Sequence, residues 1–140
     1  MAVQDPQAIW SDYYERKKQQ RADEAASMWK QMEAAGVNSE TVLALDFVHF
    51  GTSLEKVQAL ANQLSENYSM SVVAEQEPGY WSAKGTTRPY GIELSQEQHL
   101  SWVDFMCDVA HSYGCVFSTW SLEATSLGTQ FLSEGIESAS

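Results

Sequence analysis

Basic side chains are scarce in this sequence. Eight Lys and Arg stand against nineteen Asp and Glu in 140 residues, for a formal net charge of −11. Residues 31–140 hold only Lys56, Lys84 and Arg88 against fourteen carboxylates, because the other five basic residues lie in the first thirty. A domain of this charge repels phosphate backbones and has no basic stripe for releasing their counterions. The sequence therefore argues against direct nucleic-acid binding, whereas a basic protein partner would be attracted.

Long apolar runs and cysteines are also few. No stretch approaches the roughly 18 consecutive apolar residues of a membrane span, and residues 1–18 lack the apolar core of a signal peptide. Cys107 and Cys115 are too few for a disulfide framework and are predicted to be free thiols in a reducing compartment. We therefore expect a cytoplasmic protein that does not bind a membrane.

The clearest structural pattern lies in residues 95–123. Ser95 and Gln98 have the spacing of a capping box at a helix start. Apolar residues then recur every three or four positions, and Gly114 stands where a left-handed residue commonly ends a helix. A β-prone run that includes Trp120 follows. The pattern predicts a helix that leads directly into a strand.

The remaining chain supplies the other elements of an α+β fold. A helical pattern reaches Ala35, and an apolar run at 41–50, a helical pattern at 53–67 and a short β-prone run at 70–74 come next. Pro78-Gly79 favours a turn into a return strand. The order β-α-β-β-α-β predicts a ferredoxin-like antiparallel sheet with two helices on one face and an extra N-terminal helix.

This pattern also predicts the organisation of the chain. Residues 1–36 would form an N-terminal helical extension, and residues 37–124 the ferredoxin-like domain. The polar, small-residue segment 125–140 is predicted to be a flexible tail.

Several local strings, in their order and spacing, resemble the RraB family of ribonuclease E inhibitors. The resemblance spans about Asp23 to Glu123 and covers a helix that ends in Gly, a following strand, an acidic helix start, a late helix that ends in Tyr-Gly and a strand with Trp and Glu. These are Met32–Asn38, Leu43–Phe50, Ser53-Leu54-Glu55, Ala110–Gly114, and Trp120 with Glu123.

The resemblance implies a non-enzymatic protein that binds the basic scaffold half of ribonuclease E and changes which transcripts are degraded. It makes residues 37–124 an RraB-type domain. Two features depart from the family pattern. The family commonly has Asp-Gly-Trp-Gly where this chain has Ser118-Thr119-Trp120-Ser121, and the dense acidic C-terminal run is reduced to Glu134 and Glu137. An immunity-type inhibitor of a basic toxin is an alternative function on a similar scaffold.

Residues with catalytic or metal-binding chemistry are present but poorly arranged. Cys107, His111 and Cys115 are spaced four apart, yet Gly114 should end the helix before Cys115. Asp46 and His49 point to opposite faces of a strand, which leaves His49 to pair with Glu75 or Glu93 across the sheet. No nucleophile or phosphate-loop motif is present. The sequence therefore predicts no catalytic residue, no metal and no cofactor, with a small hydrolase or metal protein as the minor alternative.

The expected site is an acidic partner-binding surface. Carboxylates concentrate at the hairpin end and on the polar side of the late helix, and tryptophans are common interface anchors. The candidate residues are Glu75, Glu77, Trp81, Glu93, Glu97, Asp104, Asp108 and Trp120.

The aromatic cluster of Trp10, Tyr13 and Tyr14 on the N-terminal helix leaves two arrangements open. It could dock on the domain, or it could form a homodimer.

Overall fold

The computed structural model describes residues 6–76, 78–88 and 90–133. This part of the chain contains three α-helices and five strands, and a 3-10 turn at Thr125–Leu127 precedes the last strand. The helices are α1 Pro6–Ala34, α2 Leu54–Leu64 and α3 Gln96–Ser112; the strands are β1 Leu43–Gly51, β2 Ser69–Ala74, β3 Trp81–Thr86, β4 Val116–Ala124 and β5 Thr129–Leu132. The strands form one sheet in the order β2-β3-β1-β4-β5, with every neighbouring pair antiparallel. The predicted α+β class is confirmed.

Strand β1 is the centre of the sheet and supplies the middle of the core. Its alternate residues Leu43, Leu45 and Phe47 are buried on one face, while Asp46 and Val48 on the other face are only partly covered. Phe47 lies between Gly85 on β3 and Trp120 on β4 in the strand register. The core therefore lies on one face of the sheet. We call the other face, which is only partly covered, the open face.

A β-bulge in β4 shapes this core. Val48 is opposite Thr119 and His49 is opposite Phe117, so Ser118 is an extra residue with no counterpart. In a regular strand, Phe117 and Trp120 would point to opposite faces because they are three residues apart. The bulge brings both rings into the core, where they stack with centroids 5.2 Å apart.

The second half of helix α1 belongs to the core. Ala25, Met28, Trp29 and Met32 are all buried at helical spacing and belong to the core. Arg21 is also buried and donates from Nε to the carbonyl oxygen of Phe117 at 2.9 Å. The helix predicted as an N-terminal extension is thus joined to the rest of the protein by apolar packing and by this hydrogen bond.

The predicted start of helix α3 is confirmed in detail. The Ser95 hydroxyl accepts from the Gln98 backbone N–H at 3.2 Å, and the Gln98 side chain accepts from the Ser95 N–H at 2.9 Å. Gly114 follows the helix with a φ of +68°, a conformation that favours glycine. At helix α2, Ser53 is the N-cap residue, and its hydroxyl accepts from the Lys56 backbone N–H.

The expectation of a flexible tail from residue 125 is wrong for residues 125–133. Strand β5 pairs with β4 from Ser121 to Ala124, and the side chain of Phe131 is buried in the core. The Ser133 hydroxyl also accepts from the Trp120 backbone N–H at 3.0 Å. A four-residue strand gives a weak sequence pattern, and here the pairing with β4 holds it in place. Residues 134–140 lie outside the described residues.

Replacement of Gly85 by Ala should destabilise the fold. An added Cβ would overlap the ring of Phe47 and come within 2.6 Å of Met70 Sδ. Overpacking of this kind costs about 1–3 kcal/mol in the free energy of unfolding. Urea denaturation of Gly85→Ala in the wild-type and Phe47→Leu backgrounds measures the effect. The cost should be smaller beside leucine, which lacks the ring atoms; an equal cost in both backgrounds would contradict this account.

Candidate functional site

The predicted acidic residues differ in whether basic or polar side chains of the same protein already bind them. Asp108 forms an ion pair with Lys18 of α1 at 2.9 Å. The hydrogen bond that Lys18 donates to Asp108 is the main cause of the raised pKa of Lys18, and the charge of Asp104 contributes to it. Part of the acidic side of α3 is therefore occupied by a lysine of the protein's own helix α1. At the hairpin, Glu75 accepts a hydrogen bond from the Ser82 hydroxyl, and Glu77 lies outside the described residues.

The prediction of Trp120 as a partner contact is wrong. Its side chain is only 2% exposed and belongs to the core, because the bulge at Ser118 turns it toward the helices. The indole Nε1 donates to Nε2 of His99 at 3.0 Å, which satisfies its polar group inside the protein. Trp81 is half-buried at the start of β3 and packs against the edge of the core. Its contact with a partner stays a prediction.

Glu93 and Glu97 are placed differently, at the rim of a groove beside the first half of α3. The groove has a volume of about 520 Å³. Its lining consists of Glu93, Leu94, Glu97, Gln98, Ser101, Trp102 and Phe105. Both carboxylates are exposed, and none of the ion pairs among the described residues involves either one. We call this set of residues the acidic groove.

Two aromatic side chains give the acidic groove its apolar surface. The ring of Phe105 is 52% exposed, whereas Trp102 is half-buried. The indole Nε1 of Trp102 donates to the Tyr68 hydroxyl at 3.0 Å, and its ring contacts Phe47 and Phe117 edge-on at centroid distances of 5.8 and 5.6 Å. Trp102 is thus fixed from inside the protein and presents a preformed surface to the groove.

Trp102 and Phe105 are not among the site residues predicted from the sequence. Trp102 fits the apolar periodicity of α3, which favours burial, yet its side chain is only half-buried. Phe105 falls outside that pattern, and an apolar residue out of phase with a buried helical face was the available signal.

The open face of the sheet holds a second concave surface, of about 430 Å³. Small polar side chains, Lys84 and the apolar Val48 and Leu132 contribute to its lining. Beside it, Arg88 donates from Nε to Asp46 at 3.2 Å and from an Nη to Glu123 at 2.7 Å. These two ion pairs join the end of β3 to β1 and β4, and two carboxylates of the open face share the single positive charge of Arg88.

The buried histidines are unsuited to acid–base catalysis near neutral pH. His49 is fully buried between the rings of Phe47 and Phe117, and within the described residues neither of its ring nitrogens has a hydrogen-bond partner. The proposed pairing of His49 with Glu75 or Glu93 therefore does not occur. Burial lowers the pKa of His49 to about 3 and that of His99 to about 4.

The Cys107, His111 and Cys115 series does not converge either. In the described ranges, no group of three His, Cys, Asp or Glu side chains is placed to hold a metal ion. The two cysteines are free and buried, and burial raises the pKa of both thiols, to about 12 for Cys107. His111 instead stacks on Tyr14 with ring centroids 3.9 Å apart.

The N-terminal aromatic cluster docks on the domain through Tyr14. This side chain is buried and donates to the carbonyl oxygen of Cys115, and burial raises its pKa. Trp10 stacks on Tyr13 with centroids 5.6 Å apart and is 42% exposed. Docking is thus the arrangement seen for Tyr14, and a homodimer through the exposed Trp10 stays a prediction.

None of the helices in the described ranges is both long and apolar enough to cross a membrane. No protein-family model matches the chain, and no curated protein matches it.

The two buried histidines should make the protein acid-sensitive. Unfolded histidine binds a proton near pH 6.5, whereas His49 and His99 do so only near pH 3 and 4, so acid favours the unfolded state. Each histidine should cost about 2 kcal/mol in the free energy of unfolding between pH 7 and pH 5.

Urea denaturation across this pH range, for the wild type and His49→Leu, measures the loss. The difference between the two proteins should shift by about 2 kcal/mol on acidification, because the carboxylates titrate alike in both. At pH 7 the variant should be more stable, because it removes a buried polar group without a partner. Parallel pH profiles would rule out a role for His49.

Proposed function

We propose that this protein is a non-enzymatic regulatory protein of the RraB type, which binds a basic segment of a client protein in the acidic groove. The observation that carries the proposal is the groove itself, whose lining includes two carboxylates without an ion pair among the described residues and an exposed phenylalanine. A segment with Lys or Arg beside an apolar residue would complement both features.

The distribution of the other charges supports this choice of surface. Asp108, Asp46 and Glu123 are paired with basic side chains of the same protein. A client that met these residues would have to displace an existing ion pair. Glu93 and Glu97 have no such competitor among the described residues, so an incoming cation gains their full attraction.

The preformed apolar floor supports the proposal in a second way. Interface residues that are rigid before binding lose little conformational entropy when the partner arrives. Trp102 is held by its hydrogen bond to Tyr68 and by two ring contacts. Phe105, with half of its surface exposed, is the side chain that a client would cover.

We further propose that the sheet has the ferredoxin-like, split β-α-β topology with β5 as an added edge strand. The order β2-β3-β1-β4, with α2 between β1 and β2 and α3 between β3 and β4, supports it. The RraB resemblance implies the same arrangement, and it makes the basic scaffold half of ribonuclease E the first client to test. Two free buried thiols are consistent with a reducing, cytoplasmic location.

Binding should weaken steeply with salt and depend on the two carboxylates. The probe is a fluorescent peptide from the basic scaffold half of ribonuclease E, titrated at about 50 and 300 mM NaCl. Affinity should fall about tenfold or more between these concentrations. Glu93→Gln with Glu97→Gln should weaken binding at low salt about fivefold, as expected for two exposed ion pairs.

Glu33→Gln with Glu66→Gln is the matched control, because it removes the same charge from two other exposed positions. An equal loss of affinity in both double variants would mean that only net charge matters, which would contradict binding in the acidic groove. Salt-independent binding would overturn the electrostatic part. If other basic peptides bind but the ribonuclease E peptide does not, the proposal of an RraB-type client is wrong.

Phe105→Ala tests the apolar part of the acidic groove. Loss of a central aromatic anchor should weaken peptide binding about tenfold with little change in the slope of affinity against salt. Leu127→Ala, which truncates another exposed apolar residue, should bind the peptide like the wild type. Thermal unfolding of each variant checks that the fold is retained. Unchanged affinity in Phe105→Ala would place the client elsewhere.

A further inference from the structure

Strand β2 is an unprotected edge of the sheet. It pairs with β3 along all six residues, Ser69–Ala74, without a register shift, and none of the described residues pairs with its outer side. Natural proteins usually protect such an edge with a charged residue, a proline, a bulge or a very short strand. Strand β2 has none of these, whereas β5 at the opposite edge has only four residues.

None of the β2 side chains is fully buried. Met70 and Val72 pack against the core but are only partly buried, because no further strand covers them. On the open face, Ser71 is exposed and Val73 is 37% exposed. A strand added at this edge would complete backbone hydrogen bonds and cover apolar surface.

We propose that β2 pairs antiparallel with β2 of a second copy of the chain, around a two-fold axis at Ser71, to form a continuous ten-stranded sheet. The axis must be perpendicular to the sheet for both cores to stay on one side. Two residues that lie opposite each other across the interface then have their side chains on the same face of the sheet. Because side chains alternate between the faces, the sum of the two residue numbers must be even. An axis at Ser71 places Met70 opposite Val72 of the partner subunit and extends both cores.

The charge pattern selects a second copy as the occupant. Each chain carries a net charge of −11, so two copies can associate only where carboxylates do not meet. With the axis at Ser71, no charged residue lies within the paired segment Ser69–Ala74. The carboxylates nearest to its two ends, Glu66 and Glu75, are out of register with each other, because their numbers do not add up to twice 71. A basic partner, in contrast, would find no acidic side chain within the strand.

Sedimentation equilibrium of the full chain at several concentrations tests the dimer. The wild type should approach twice the chain mass. Ser71→Lys should raise the dimer dissociation constant at least tenfold, because it sets two like charges opposite each other at the axis. Gln130→Lys, on the exposed side of β5, is the control and should leave the dimer intact. Both changes lower the net negative charge equally, so a general charge effect would alter the two variants alike.

A cysteine at the axis tests the register. Opposed residues of an antiparallel pair have Cα atoms about 5 Å apart, which suits a disulfide. Ser71→Cys should therefore form a covalent dimer under mild oxidation, whereas Gln130→Cys should not. A wild type that remains monomeric at high concentration would overturn the proposal. A dimer that persists in Ser71→Lys would overturn it too, because the interface would then lie elsewhere, for example at Trp10. A dimer without the Ser71→Cys cross-link would overturn the register.

Discussion

The β-bulge at Ser118 is the local constraint on which the interior depends. One extra residue in β4 turns both Phe117 and Trp120 toward the helices, and Trp102 from α3 packs against both rings. Without the bulge, one of the two aromatic residues would lie on the open face, and Trp102 would lose a contact that fixes it. The shape of the acidic groove on the outside thus depends on strand register inside the protein.

The contact between α1 and α3 decides which acidic residues remain available. Lys18 pairs with Asp108, Tyr14 stacks on His111, and Arg21 donates to the backbone of β4. These contacts anchor a helix whose middle segment is polar on all sides. The ion pair with Lys18 also neutralises Asp108 in the second half of α3, whereas Glu93 and Glu97 near its beginning are in none of the ion pairs among the described residues. A lysine near the start of the sequence therefore helps to determine which carboxylates stay unpaired.

The parts of the fold that depend on local sequence could be predicted, and those that depend on distant partners could not. The capping box of Ser95 and Gln98 involves neighbouring residues only, and it forms as expected. The environment of Trp120 depends on how β4 registers against β1, and strand β5 depends on its pairing with β4. The ion pair of Asp108 joins residues 90 positions apart, which residue spacing along a helix does not reveal.

The same limit applies to the candidate site. Composition indicated an acidic surface, and Glu93 and Glu97 were among the residues chosen from it. Composition could not separate carboxylates that are paired inside the protein from those that are free, since both kinds contribute equally to a net charge of −11. Only the folded arrangement shows that two of the unpaired carboxylates, Glu93 and Glu97, line the same groove as Phe105. Charge therefore favours a basic partner, whereas the aromatic side chains determine where a specific contact can form, because exposed charge pairs alone contribute little affinity.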